Sequence, residues 1–366
     1  MNQVSPDTVT DQEIYPILER AVAGERLGDA DACRLFETND LLALGRAAHL
    51  VRARLHPDPT VTFIIDRNIN YTNVCVTGCS FCAFSRRPGD ADAYVITRDE
   101  MRRKIVETRE AGGNQILLQG GLHPDLPLEW YEELLRWLKA EFPGLHIHAF
   151  SPTELSFFRD RFGLELDDVI ERLVAAGLDS IPGGGAEILS DRVRGIISPG
   201  KTSADDWIGI MRAAHRLGLR TTATMMLGII ETNAERVEHL RRVRDLQDET
   251  GGFTAFIPWT FQSRNARQAG RRGGATDYLK TVAIARLYLD HIQNIQASWV
   301  TQGSKIAQMA LLFGVNDLGS LMLEENVVAA AGTSYKYSVA EMRRWAEELG
   351  YKLQQRDFFY HAVARA

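Results

Sequence analysis

The sequence predicts an α/β fold, a (β/α)8 barrel of the TIM type preceded by a helical extension, and three observations lead there. Short β-rich apolar runs alternate with helix-patterned segments from residue 59 onward, eight such runs can be counted, and no strand pattern precedes them. Alternating strands and helices imply parallel strands joined by right-handed crossovers, and eight of them suggest a closed barrel. The expected division is a helical extension over 1–58 and a barrel with C-terminal elements over 59–366. An open six-strand barrel with a C-terminal extension is the alternative, because the last two strands carry the weakest patterns.

The extension comes first. "DQEIYPILERAVAG", "DADACRLFE" and "NDLLALGRAAHLVRARL" place apolar residues at three- and four-residue spacings, as amphipathic helices do. Pro57 and Pro59 end the last helix, and "VTFIID" (61–66) is the first strand. Strands follow at 114–119, 145–150, 178–182, 219–228, 252–261, 295–300 and 317–322, each ahead of a helical pattern. Thr97 with Glu100, Thr232 with Glu235 and Ser338 with Glu341 have the spacing of capping boxes and mark helix starts.

Alternation within the strands assigns their faces. His146 and His148 oppose Leu145 and Ile147; Gln115 and Gln119 oppose Ile116 and Leu118; Thr222 and Thr224 oppose Ala223 and Met225; Gln296 and Ser298 oppose Ala297 and Trp299. The apolar set faces the helices, which leaves a polar lumen. A barrel filled only for stability carries branched aliphatic residues inside. The polar set therefore points to a polar ligand, or else to residues that satisfy one another in a packed interior.

Composition narrows the partners. The 366 residues are 45% hydrophobic, enough for a full core, with a formal charge of −6 and no long basic run, so the footprint of a nucleic-acid binder is missing. A small-molecule partner is expected. No apolar run approaches the roughly 20 residues that cross a bilayer, and no signal-peptide core opens the chain, so the expected location is cytoplasmic. In a reducing compartment four cysteines do not suggest disulfides.

Three of the four, Cys75, Cys79 and Cys82, sit in one loop just after the first strand, at the rim where barrel enzymes place their chemistry. Tetrahedral zinc wants four ligands, and the nearest further candidates, Cys33 and His123, are distant in sequence. A cubane iron-sulfur cluster held by three thiolates keeps one iron open.

C-x-x-x-C-x-x-C with Phe81 before the last cysteine resembles the signature of the radical S-adenosylmethionine superfamily. The resemblance implies that Cys75, Cys79 and Cys82 hold a 4Fe-4S cluster whose open iron chelates S-adenosylmethionine. It also implies a one-electron donor such as flavodoxin or ferredoxin. "QGGLHP" is similar to the superfamily's Gly-Gly-Glu stretch, matching Gly120 and Gly121 while Leu122 replaces the acid, so only main-chain contacts carry over. "MMLGIIET" resembles the G-x-x-E pattern beside the adenine, matching Gly228 and Glu231. After the fourth strand, Gly183, Gly184 and Gly185 permit close backbone approach, and Glu187 could bind a ribose or an ammonium; a tight turn with a surface acid is the bland reading. Cys33 matches no motif and reads as a packed helix residue.

A wider likeness runs through "DRNINYTNVCVTGCSFCAF", "HIHAFSPTE", "GLDSIPGGGAEIL", "DETGGFTAFIPWTFQ", "NIQASWVTQG" and "GVNDLGSLMLEENVV". These stretches resemble the cyclase family of the futalosine route to menaquinone, with the aminofutalosine synthases and the deazaflavin (F420 precursor) synthases as sister families. The resemblance implies dehypoxanthine futalosine as substrate, abstraction of its ribose 4′ hydrogen, and radical attack on the benzoate ring. Such a reaction needs a base: His148 is placed for it, and a hydrogen-bonded interior histidine is the alternative. Arg192, Arg194 and Lys201 are chemically possible anchors for the benzoate carboxylate, or solvated charges. Trp259 and Trp299 fall on the helix-facing parity and read as packing residues. A metal-stabilised binding protein, the non-enzyme alternative, explains the cysteines but not the polar lumen.

Overall fold

The computed structural model describes residues 12–262, 264–267, 273–332 and 335–363. All eight expected strands form. The first is split at Ile65 into β1 (Thr60–Ile64) and β2 (Asp66–Asn70), and the others are β3 (Gln115–Gln119), β4 (His146–Ala149), β5 (Ser180–Ile181), β6 (Arg220–Leu227), β7 (Phe253–Thr260), β8 (Asn294–Ile295) and β9 (Asp317–Ser320). Strands β2 to β8 lie side by side in chain order in one parallel sheet. Helices between them cover the outer face, which is why that face is continuously apolar.

The curled sheet has two edges, and the chain bridges them. Gln296 pairs in parallel with Asp317, and the Ala297 amide donates to the Asp317 carbonyl at 2.8 Å. Beyond β9 the amides of Leu321 and Leu323 donate to the carbonyls of Ile64 and Asp66, and the Asn68 amide donates to Glu324. A last strand, β10 (Lys352–Gln355), pairs with β1 on the side opposite β9. Sequence pattern does not announce it: "KLQQ" holds one apolar residue and no alternation.

One irregularity changes what faces the lumen. Between β6 and β7 the register shifts, so that Thr221 faces Phe253 while Thr222 faces Ala255. The extra residue, Thr254, reverses the alternation of β7 beyond it. Phe256 then points outward, fully buried with its ring 6.0 Å from that of His239.

In the extension, helices Tyr15–Ala23, Asp29–Glu37 and Leu41–Leu55 pack on the barrel, the last lying along helix Ala275–Tyr288. Gly45 lets the same helix approach the turn Leu311–Phe313, since a Cβ there would stand 2.7 Å from the Phe313 ring. Ile14 and Leu44 belong to the same hydrophobic cluster as Ile116 and Ile147 of the barrel. Thr232 with Glu235 and Ser338 with Glu341 form full capping boxes, whereas Thr97 only accepts from the Glu100 amide. A further box, Ser151 with Glu154, opens helix Pro152–Phe162.

Candidate active site

The lumen holds a cavity of about 300 Å³ lined, among others, by Gln115, Gln119, His148, Thr222, Thr224 and Ser298, the polar set that alternation placed inside. Gly183, Gly184, Gly185 and Glu187 line it as well. Gly183 has no room for a side chain, because a Cβ would lie 2.6 Å from the Thr222 carbonyl oxygen. Backbone strain gathers here. Of the non-glycine residues with positive φ, Glu187 (42°), Met322 (48°) and Tyr360 (67°) all line the cavity, and such conformations persist where surrounding structure over-determines them, often at functional sites.

Two expectations need correction. Trp259 lines the cavity rather than packing against helices, because the extra residue at Thr254 inverts the strand's parity. Trp299 packs in the core as expected, edge-on against Tyr337, but from the start of helix Trp299–Ala310 instead of a strand; it also borders the cavity and donates its indole N–H to the Ser320 carbonyl at 2.9 Å.

The cysteine loop leaves the C-terminal end of β2 and is tied down by main-chain bonds. Cys75 N donates to Arg86 O, Val76 N to Leu122 O, and both the amide and hydroxyl of Ser80 to Ile197 O. Arg86 in turn donates to the carbonyls of Ala83, Phe84 and Ser85, and Arg267 to those of Gly78 and Cys79. Gly121 lies against this loop: a Cβ on it would stand 2.1 Å from the Val74 oxygen and 2.9 Å from Cys75 Cβ. Gly120 faces elsewhere, its amide donating to the buried Glu154 carboxylate at 3.1 Å and its α-carbon pressed on the Tyr71 ring.

Next to the loop sits a buried ion pair. Lys201 Nζ is 2.7 Å from Glu187 Oε1 and 5.1 Å from the centre of the Phe81 ring. Burial alone would lower the pKa of Lys201, but the Glu187 carboxylate, aided by Cys79, raises it above the usual lysine range. Burial raises the Cys79 thiol, and the Lys201 charge pulls against that shift. Glu187 is therefore no surface acid. Its second oxygen, Oε2, is buried without a hydrogen-bond partner. Arg194, 3.9 Å from that oxygen, spends its guanidinium on the carbonyls of Thr202, Gly185 and Ala186. Arg192 is exposed and pairs with Glu235. Of the three cations considered as anchors, Lys201 is the one set over Phe81 of the cysteine loop.

At the other end of the cavity are residues that the sequence did not single out. Asp66 accepts from Ser320 and from Gln115 Nε2, and Glu325 accepts from Asn68 and from the Val327 and Val328 amides; burial raises both carboxyls. Gln115 Oε1 and Asn68 Oδ1 are left without partners. Arg356, Phe358 and Tyr360, which follow β10, complete this end, and Arg356 pairs in bidentate fashion with the fully buried Asp317 at 2.7 and 3.0 Å. His148 is buried here against Phe358, its Nδ1 2.7 Å from Ser180 Oγ. Burial, then the His146 and Arg356 charges, holds the His148 pKa well below the usual imidazole range.

Gly228 and Glu231 stand apart. They line a separate depression with Phe36, Arg236 and Lys280. Glu231 accepts from the Gly228 and Ile229 amides and from Arg236, so its carboxylate closes its own turn. Cys33 lies on helix Asp29–Glu37, partly buried against the core.

The donor set fits a cluster better than a single ion. Among the described residues the three cysteine sulfurs do not all lie within 4.8 Å of one another, while a tetrahedral zinc site with Zn–S bonds of about 2.3 Å needs thiolates roughly 3.8 Å apart. A multi-iron cluster gives each thiolate its own iron. The orphaned Glu187 Oε2 beside the loop suits a ligand ammonium or hydroxyl.

Comparison with known proteins agrees. The family model of the Radical SAM superfamily matches residues 69–243, and that of the CofH/MqnC C-terminal region matches residues 250–365. The chain is 45% identical to the cyclic dehypoxanthine futalosine synthase of Halalkalibacterium halodurans, over 95% of this chain and 94% of that one. It is 43% identical to the 5-amino-6-(D-ribitylamino)uracil--L-tyrosine 4-hydroxyphenyl transferase of Methanosphaerula palustris (95% and 98% covered). Identity is 40% to the aminodeoxyfutalosine synthase of Thermus thermophilus (97% of each). Among solved structures, methylornithine synthase (PylB) superposes with a TM-score of 0.72 at 20% identity, covering 92% of this chain and 97% of that one, which speaks for the fold alone.

Proposed function

The chain belongs to the radical S-adenosylmethionine superfamily, in the group that carries the CofH/MqnC C-terminal region, and on that premise we propose that it converts dehypoxanthine futalosine to its cyclic form in menaquinone biosynthesis. A 4Fe-4S cluster and S-adenosylmethionine, the superfamily's cofactors, supply a 5′-deoxyadenosyl radical when bound and reduced by a donor such as flavodoxin or ferredoxin. Cys75, Cys79 and Cys82 hold the cluster. Phe81, Lys201 and Glu187 would border the S-adenosylmethionine, with Glu187 Oε2 placed to accept from its ammonium or ribose and the main chain at Gly121 alongside; Gly120, whose amide is taken by Glu154, would support that turn from behind. The partner is a small molecule held inside the protein, and no helix among the described residues is long and apolar enough to cross a membrane.

Removal of the ribose 4′ hydrogen and attack on the benzoate ring require a substrate held at reacting distance in a cavity that excludes water, and a base for the ring proton that leaves when aromaticity returns. His148 is that base: neutral, buried and on the cavity wall. The observation that carries the reading is this buried imidazole in a polar lumen below the cysteine loop, together with the 45% identity to a cyclase over nearly the whole chain. The sister reactions are tested alongside. Anaerobically reconstituted protein is incubated separately with dehypoxanthine futalosine and with the substrates of the two sister families, and products are weighed by mass spectrometry. A product with the composition of dehypoxanthine futalosine less two hydrogens supports the reading; turnover of a sister substrate alone overturns it.

A further inference from the structure

A base on the wall of a lumen that must exclude bulk water during turnover takes one proton and must then lose it. We propose that Ser180 and His146 form a relay that carries this proton from His148 to solvent at the N-terminal end of the barrel, an inference that rests on the assignment of His148 as base. Three observations support it. His148 and Ser180 are register partners on β4 and β5, and Ser180 is fully buried. The Ser180 hydroxyl lies 2.7 Å from His148 Nδ1 and 2.7 Å from His146 Nε2, so a single hydroxyl bridges two imidazoles. His146, two residues earlier on the same face of β4, is only half-buried and stands at the strand's N-terminal end, near Asp179, Lys139 and Asp357.

A hydroxyl has one proton to give and lone pairs to accept with, and a neutral imidazole has one nitrogen of each kind. With His148 carrying its proton on Nδ1, Nε2 takes the ring proton of the substrate, whose C–H electron pair stays with the substrate. The Nδ1 proton moves to Ser180 Oγ, the Ser180 proton moves to His146 Nε2, and the His146 Nδ1 proton leaves to solvent. One proton enters and one leaves along the path, and the single electron that rearomatisation also releases goes back to the one-electron carrier of the proposed reaction, not along the relay. Phe358 covers both rings, stacked on His146 at 4.8 Å and tilted against His148 at 4.8 Å, which keeps the path dry. The depressed pKa of His148 agrees with the scheme, since a base that holds a proton poorly hands it on.

The test compares the wild-type holoenzyme with Ser180→Ala and His146→Gln. The relay predicts that each variant lowers cyclised product per 5′-deoxyadenosine by about tenfold or more, as loss of a proton-transfer partner does, with the KM for dehypoxanthine futalosine held within about twofold. Histidine ring nitrogen-15 spectra add a readout that needs no turnover: Ser180→Ala should shift the signals of both His146 and His148. A wild-type ratio in either folded variant, or a spectral change confined to one ring, overturns the relay. A wild type that makes no cyclised product overturns the proposed reaction instead, and the spectra still decide whether the hydroxyl bridges the two rings.

Discussion

Lys201→Met removes the ammonium 2.7 Å from a carboxylate whose side chain is only 4% exposed. Removing one partner of a buried ion pair costs about 3–5 kcal/mol, because the remaining charge is left in a poorly solvating interior. Arg194, whose N–H groups are committed to main-chain carbonyls, still keeps its positive charge 3.9 Å from the carboxylate and offsets part of the loss. The expected loss is therefore at the lower end, about 3 kcal/mol. Adding Glu187→Gln to Lys201→Met deletes the orphaned charge and should recover about 2 kcal/mol. Equilibrium urea unfolding, followed by tryptophan fluorescence, reads all four proteins of the cycle. Additive single effects, each below about 1 kcal/mol, would refute the reasoning and place the pair in a solvated setting.

Alanine at Cys75, Cys79 or Cys82 should abolish the brown absorbance of the reconstituted cluster and all cleavage of S-adenosylmethionine, whereas Cys33→Ala should keep both; absorbance lost on Cys33→Ala with the fold intact would show the ligands to be misassigned. His215, bridged to Thr250 and Thr221, has a pKa lowered from 6.5 to about 4, chiefly by burial. Below pH 6.5 the unfolded chain binds a proton there that the folded chain refuses, so stability falls toward pH 4 by up to about 1.4 kcal/mol per pH unit for this residue. His215→Gln should flatten that slope in urea unfolding between pH 7 and 5.5, and an unchanged slope counts against it.

The parts legible in the sequence are those set by local pattern. Eight strands follow from apolar runs between capped helices, and the polar lumen from strict alternation in "LHIHAF", "NQILLQ" and "TTATMM". The cysteine loop announces itself by spacing. What stayed hidden depends on long-range geometry. Trp259 changes sides because one extra residue at Thr254 inverts β7, and nothing in "GFTAFIPWTF" marks that bulge. In "SPGKTS" Lys201 reads equally as an anchor or as a solvated charge, and only folding sets it against Glu187, fourteen residues earlier in the chain. Arg356, Phe358 and Tyr360 close the cavity from a C-terminal segment whose strand has no apolar alternation. Glu231 shows the opposite failure, since its motif is present but its carboxylate is taken up by its own turn and Arg236.

The most direct measurement follows one hydrogen. Holoenzyme incubated with dehypoxanthine futalosine deuterated at the ribose 4′ carbon, in ordinary water, should yield singly deuterated 5′-deoxyadenosine in amounts matching cyclised product, because the abstracted hydrogen has nowhere else to go in a cavity that excludes solvent. Unlabelled deoxyadenosine from the labelled substrate contradicts abstraction at that carbon. A deoxyadenosyl adduct in place of free deoxyadenosine contradicts the cyclase reading and assigns the protein to the sister chemistry.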